Sequence, residues 1–133
     1  MHYRVYLING KIAKFYQEII REYEKRLTRY CKIQLVPVKK GQQAAGKGAG
    51  RVYRIVVSPG GQLLSSEELA EKIHHLALSG HSEVAVFIGG QDLTGDEVWA
   101  LSPMDMDPGL QATVFFEQLY RAYRILHHEP YHK

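Results

Sequence analysis

Two short, β-branched apolar runs that each end on paired glycines constrain this chain more than any other feature. Arg51 to Val57 leads into Ser58-Pro59-Gly60-Gly61, and Glu83 to Ile88 leads into Gly89-Gly90. Both runs are too short for an ordinary helix and rich in valine and isoleucine, so they read as buried strands. Between them, Ser66 to Ser79 reads as a helix. Ser65 and Glu68 stand at capping-box spacing at its start, and Gly80 stops it. A strand, a helix and a strand in succession imply parallel pairing.

The rest of the chain follows the same alternation. Tyr3 to Ile8 reads as a strand bounded by Asn9-Gly10. Lys11 to Tyr30 reads as a helix, with Ile12, Tyr16, Ile19, Ile20, Tyr23, Leu27 and Tyr30 on its apolar stripe. Lys32 to Val38 is a further strand. Gly41 to Gly50 has four glycines and no large apolar residue, which predicts a flexible loop. Gln91 to Ser102 reads as a turn with a short helical piece carrying Trp99, and Pro103 to Asp107 as a last short strand or a shaped loop. Pro108 suits the first turn of a helix that runs from Gly109 to about Leu126. Apolar residues cover two faces of that helix, so it is packed from two sides, by its own domain or by a second subunit. The fold class is α/β, a mostly parallel sheet with helices on both faces, in one domain spanning 1–133.

Composition narrows the function classes. Hydrophobic residues make up 45% of the 133 residues, enough for a core, and no apolar run is long enough to cross a bilayer. The N-terminus lacks the apolar region of a signal peptide. Cys31 is the only cysteine, so a reducing, cytoplasmic setting is expected, with Cys31 as a small buried hydrophobe. Seven histidines invite a metal reading, but His74-His75 and His127-His128 are adjacent pairs, about 100° apart on a helix, and no HExxH or CxxC accompanies them. No metal is expected. GxGxxG, P-loop and GxSxG patterns are absent. The formal charge of +3 permits nucleic acid as a partner without demanding it. Arg21, Lys25, Arg26, Arg29 and Lys32 crowd the end of one helix, and Lys39, Lys40, Lys47, Arg51 and Arg54 follow; they read as a solvated face or as a phosphate-binding one.

Two regions carry candidate chemistry. Ligands of parallel sheets sit beyond the carboxyl ends of the strands, so the two glycine-paired strand ends are natural walls of a cofactor cleft, unless they are only tight turns. The C-terminal Glu129-Pro130-Tyr131-His132-Lys133 offers a fixed turn, a stacking face, a titratable group and a cation. Those pieces suit an RNA base and its backbone, or a tail that covers its own core.

EQLYRAYRILHHEPYHK resembles the C-terminal signature of the ribosomal RNA large subunit methyltransferase H family, of the SPOUT class of trefoil-knotted methyltransferases. EYEKRLTRY, GGQLLSSEELA and VAVFIGG agree in order. The resemblance implies a C-terminal knot, a homodimer, and methyl transfer from S-adenosyl-L-methionine to N3 of a pseudouridine in 23S rRNA on the ribosome. It implies that the cofactor lies against Val57, Ser58 and Gly90 and along Ser102, Pro103, Met104, Asp105, Met106 and Asp107. The partner's tail would complete the site, with Arg121, Tyr131 and His132 near the base. Arg121 would then stabilise negative charge on the base oxygens, and His132 would take or relay the proton.

The chain also departs from the family pattern. Gly41 to Gly50 stands where the family has a further helix, Leu93 where it usually has glycine, and Asp107-Pro108 where its cofactor loop ends in proline-histidine. Two readings therefore stand: an active rRNA methyltransferase on a trimmed scaffold, or a paralogue that binds RNA or ribosomes with lost or altered catalysis. If Ser102 to Pro108 is extended, alternation would turn either Met104 and Met106 to the pocket with Asp105 and Asp107 away from it, or, in the other register, the two aspartates into the cleft.

Overall fold

The computed structural model describes residues 1–8, 11–39, 52–90 and 94–132. Readings that fall on Asn9-Gly10, the Gly41 to Gly50 loop, Lys40, Arg51, Leu93 and Lys133 lie outside the described residues. In chain order the elements are β1 (His2–Ile8), α1 (Lys14–Leu27), β2 (Lys32–Val38), β3 (Val52–Leu63), α2 (Ser66–Leu78), β4 (Glu83–Ile88), β5 (Glu97–Ala100) and α3 (Pro108–Leu126). The strands form one sheet in the order β2-β1-β4-β3-β5, and every neighbouring pair is parallel.

The expected α/β architecture is present, with one difference in placement. The steps β1–α1–β2 and β3–α2–β4 both move one strand in the same direction across the sheet. Right-handed crossovers therefore lay α1 and α2 on the same face, and α3 packs between them. Among the described residues all three helices share that face, so the expectation of helices on both faces is corrected there. Sheet alternation supplies the core: Tyr3, Val5 and Leu7, Ile55 and Val57, and Val84, Val86 and Ile88 meet the helices. The opposite face holds a smaller cluster of Val56, Ala85 and Phe87. There Tyr6 stacks on Phe87 at 5.2 Å and the Arg54 guanidinium sits 4.8 Å from the Phe87 ring centre. β4 is central and covered on both sides, which explains its unbroken apolar run.

α3 explains its own two-sided composition. Phe115, Phe116, Leu119 and Ala122 are fully enclosed in the core that α1 and α2 share with the sheet. Its apolar surface therefore needs no second subunit to cover it.

Two elements differ from the sequence expectation. Trp99 lies in a strand, β5, and not in a helical piece. It is fully buried, and its indole Nε1 donates to Glu97 Oε1 at 3.0 Å. A four-residue strand has too little pattern to read locally; its pairing with β3 makes it. Likewise β3 does not end at Ser58-Pro59-Gly60-Gly61. That segment bulges out, and Val57 and Gln62 both pair with Trp99 before the strand resumes. Glycine is needed at 61, because a Cβ there would fall 2.6 Å from the Val98 carbonyl oxygen.

Candidate active site

The bulge in β3 after Val57 and the carboxyl end of β4 open into a cleft of about 500 Å³. Val57, Ser58 and Pro59 form one wall and Gly89-Gly90 another; Asp105 to Pro108 closes a third side, and Gln111 reaches it from the first turns of α3. Gly89 adopts φ 85°. A Cβ there would stand 3.0 Å from both the Ile8 carbonyl oxygen and Pro108 Cβ. The turn after β4 is thus glycine so that α3 can start against the strand ends.

The structure gathers Val57, Ser58, Gly90, Asp105, Met106 and Asp107 around this cleft. It does not place Ser102, Pro103 or Met104 on its lining. Ser102 Oγ accepts the Met104 N–H at 3.0 Å, and Met104 is 73% exposed. The expected alternation fails because the segment is bent rather than extended; Asp105 and Asp107 both border the cleft beside Met106. Asp107 has a structural partner all the same. It is the N-cap of α3, accepting from Gly109 N at 2.9 Å and Leu110 N at 3.3 Å. A carboxylate is favoured there by the unpaired N–H groups and the helix dipole. Asp107-Pro108 therefore works as a cap followed by a first-turn proline.

The tail turns back along α3 at His128, whose φ is 55°. Arg121, Tyr131 and His132 converge there. Arg121 Nη1 donates to His132 Nδ1 at 3.1 Å, and its guanidinium lies 4.9 Å from the Tyr131 ring centre. His132 Nε2 stands 2.5 Å from Glu67 Oε1 on α2. Since the guanidinium can only donate, the network holds His132 with its proton on Nε2, toward Glu67. The Tyr131 hydroxyl donates to Glu117 Oε2 at 2.9 Å and stands 3.3 Å from the Tyr23 hydroxyl. Burial, then these two hydrogen bonds, push the Tyr131 phenol well above its usual range.

Composition arguments missed the residues that hold this group. Glu117 accepts from Arg121 Nε at 3.2 Å and Nη2 at 3.1 Å as well as from Tyr131. Its i, i+4 spacing from Arg121 was the available signal. Glu67 had none: it shares a helical first turn with Glu68, which completes the capping box with Ser65. A second knot of side chains anchors the turn itself. Arg124 pairs with Glu129 at 3.1 Å and donates to the Pro130 carbonyl at 3.0 Å. The Tyr30 hydroxyl, hydrogen-bonding Glu129, holds that carboxyl below the usual range. Cys31 lies outside both regions; burial pushes its thiol up to about 11, which suits a packing role.

Within one chain the two regions stay apart. From Pro108 to Arg121 the helix rises about 20 Å, which separates the Arg121 group from the cleft of its own chain.

A parallel α/β sheet with a glycine-walled cleft beside the end of β4, and a last helix starting at that cleft, has the geometry in which open α/β sheets hold their ligands. The chain matches the family described as "Predicted SPOUT methyltransferase" over residues 1–132. It is 47% identical over 133 residues, all of both chains, to "Ribosomal RNA large subunit methyltransferase H 1" of Thermoanaerobacter sp. (strain X514). It is 41% identical over 124 residues to "Ribosomal RNA large subunit methyltransferase H" of Deinococcus radiodurans, covering 84% of this chain and 85% of that one. With the protein of that same name from Clostridioides difficile (strain 630) it is 33% identical over 154 residues, covering 96% and 97%. This chain belongs to the SPOUT methyltransferase family.

Proposed function

We propose that the protein is an rRNA methyltransferase that acts as a homodimer in the cytoplasm, carrying a methyl group from S-adenosyl-L-methionine to N3 of a pseudouridine in 23S rRNA on the ribosome. The observation that carries this reading is the pairing of a strand-end cleft with a separate Arg121–Tyr131–His132 group, in a chain whose relatives bear that rRNA methyltransferase name. The cleft has the volume and the close backbone approach that an adenosyl group needs, so Val57, Ser58, Gly90, Asp105, Met106 and Asp107 would hold it. Ser102, Pro103 and Met104 would shape the loop behind them. The trefoil knot is part of the same proposal: the chain returns from β5 past the ends of β3 and β4 before entering α3.

The cofactor supplies an electrophilic methyl on a sulfonium, and the protein's task is alignment and charge. Two copies in a two-fold pair can bring the tail of one to the cleft of the other, which a single chain cannot. Arg121 then faces the base oxygens and stabilises the imide anion as N3 loses its proton. Tyr131 stacks on the base or its neighbour. His132 takes or relays the proton after one of its nitrogens exchanges its present partner for the substrate.

Incubating the protein with methyl-labelled cofactor and 70S ribosomes lacking the modification tests this. Label at one pseudouridine of 23S rRNA is expected. A second reading, RNA or ribosome binding without this methylation, draws on one observation: Asp105 borders the cleft with no capping role. Ribosome binding without label transfer would favour it.

A further inference from the structure

Five cations near the end of α1 belong neither to the cleft nor to the Arg121 group. Arg21, Lys25 and Arg26 stand on the helix, and Arg29 and Lys32 follow its C-cap at Thr28; all five are exposed. The helix dipole favours Lys25 and Arg26 in the last turn. It does not reach Arg21, whose like charge four residues before Lys25 destabilises the helix. Arg29 and Lys32 lead into a hollow of about 490 Å³, which His2, Thr28, Ser82 and Glu83 also line. β1, β2 and β4 begin there, so the hollow lies at the opposite end of β4 from Gly89-Gly90. Glu83 is the one carboxylate among its lining residues, and Arg4 pairs with it at 2.7 Å.

The tail sits at the same end of the chain. Arg29 pairs with Glu129 at 3.4 Å, and its guanidinium lies 5.1 Å from the Tyr30 ring centre. The Arg26 guanidinium lies 5.3 Å from the Tyr23 ring centre and 5.8 Å from that of Tyr120. Both of those rings meet Tyr131. The acids close by are Glu22, paired with Arg26 at 3.3 Å, Glu24 beside Arg21, and Glu129, which Arg124 shares. They are outnumbered by the cations. A positive strip therefore runs from Arg21 to the hollow, continuous with the tail.

Resting on the rRNA reading above, we infer that this strip and its hollow are a docking surface for the rRNA backbone phosphates that flank the target base. A strand whose base is gripped at Tyr131 has its neighbouring phosphates beside Arg26 and Arg29. Such contacts fix position and register and read no sequence. The hollow gives a phosphate Arg29 and Lys32 as charge partners and the Thr28 and Ser82 hydroxyls as donors.

The test is a triple variant, Arg21→Gln with Lys25→Gln and Lys32→Gln. All three positions are exposed, and none belongs to the Arg121 group. Binding of the full chain to unmodified 70S ribosomes is measured across a potassium chloride series. At physiological salt the affinity should fall on the order of 10- to 100-fold, and the slope of log affinity against log salt should shrink by about two to three. Transfer at saturating ribosomes should stay at the native rate, because the lost contacts are uniform binding. Affinity for S-adenosylhomocysteine should not change, since the cleft lies at the other end of β4. A second variant, Arg21→Lys with Lys25→Arg and Lys32→Arg, should keep the native slope. An unchanged slope in the glutamine variant overturns the inference, whatever the affinity does. A matching loss of S-adenosylhomocysteine affinity traces the effect to the fold and also overturns it. A loss seen on ribosomes but absent on protein-free 23S rRNA assigns the strip to an acidic ribosomal protein and overturns the phosphate assignment. Label transfer scores the methyltransferase reading separately: a native chain that binds with the expected salt slope and transfers no label keeps the docking surface and loses that reading.

Discussion

The strand-end cleft and the C-terminal tail are made from different materials. The cleft is mostly backbone: glycines at 89 and 90, the bulged turn after Val57 and a bent loop capped by Asp107. The tail is nearly all side chain, with partners drawn from α1, α2 and α3. Backbone surfaces bind by shape and change little on substitution at exposed positions. Side-chain networks bind by charge and fail when one member is removed. The two regions should therefore respond to mutation in opposite ways: the tail should control transfer and RNA contact, and the cleft should control the cofactor.

Removing the Arg121 guanidinium should have the largest effect. Arg121→Ala is expected to lower single-turnover methyl transfer on the order of 100-fold, with cofactor affinity by titration unchanged. A parallel loss of cofactor affinity would break the division between the regions. Glu117→Gln should come next. It leaves Arg121 and Tyr131 in place but takes away the carboxylate that accepts from both. Transfer should fall about tenfold through misplacement of the pair, while the circular dichroism spectrum stays native. A rate equal to the native one would make Glu117 merely a surface salt bridge.

Mixing two inactive proteins tests whether the regions belong to different copies. Arg121→Ala combined with a variant whose cleft is filled at Gly90 should recover about a quarter of native activity, from one intact composite site per mixed pair. No recovery, with dimers confirmed by light scattering, would place both halves of the site in one chain. The smallest effect should come from the cap next to the tail. Ser65→Ala removes half of the capping box at the start of α2, where Glu67 also holds His132. Thermal or urea unfolding should show a loss of about 1 kcal/mol, with cofactor affinity unchanged. A drop in cofactor affinity would mean that α2 supports the cleft as well.

Much of this molecule was legible in one dimension. The strand end at Gly89-Gly90, the capping box at Ser65 and Glu68, Pro108 at the start of α3 and the tail's residue types are local signals. Each reports a backbone need or a chemical capacity within a few residues. Local signals misled where the deciding partner was distant. Trp99 and Val98 make a strand only because β3 lies beside them. The bulge at 58–61 continues a strand because the Val98 carbonyl passes close to Gly61. Met104 faces solvent because its segment bends.

The sequence by itself determined the alternation of strands and helices, the glycines that open a cleft and the residue types that suit RNA, because periodicity, turn chemistry and side-chain chemistry are encoded residue by residue. Tertiary structure alone decided that the described helices share one face, that Glu117, Glu67 and Tyr23 hold the tail, and that about 20 Å of α3 separates the cleft from the Arg121 group. These are relations between residues far apart in the chain, and no local pattern encodes a distance that only packing sets.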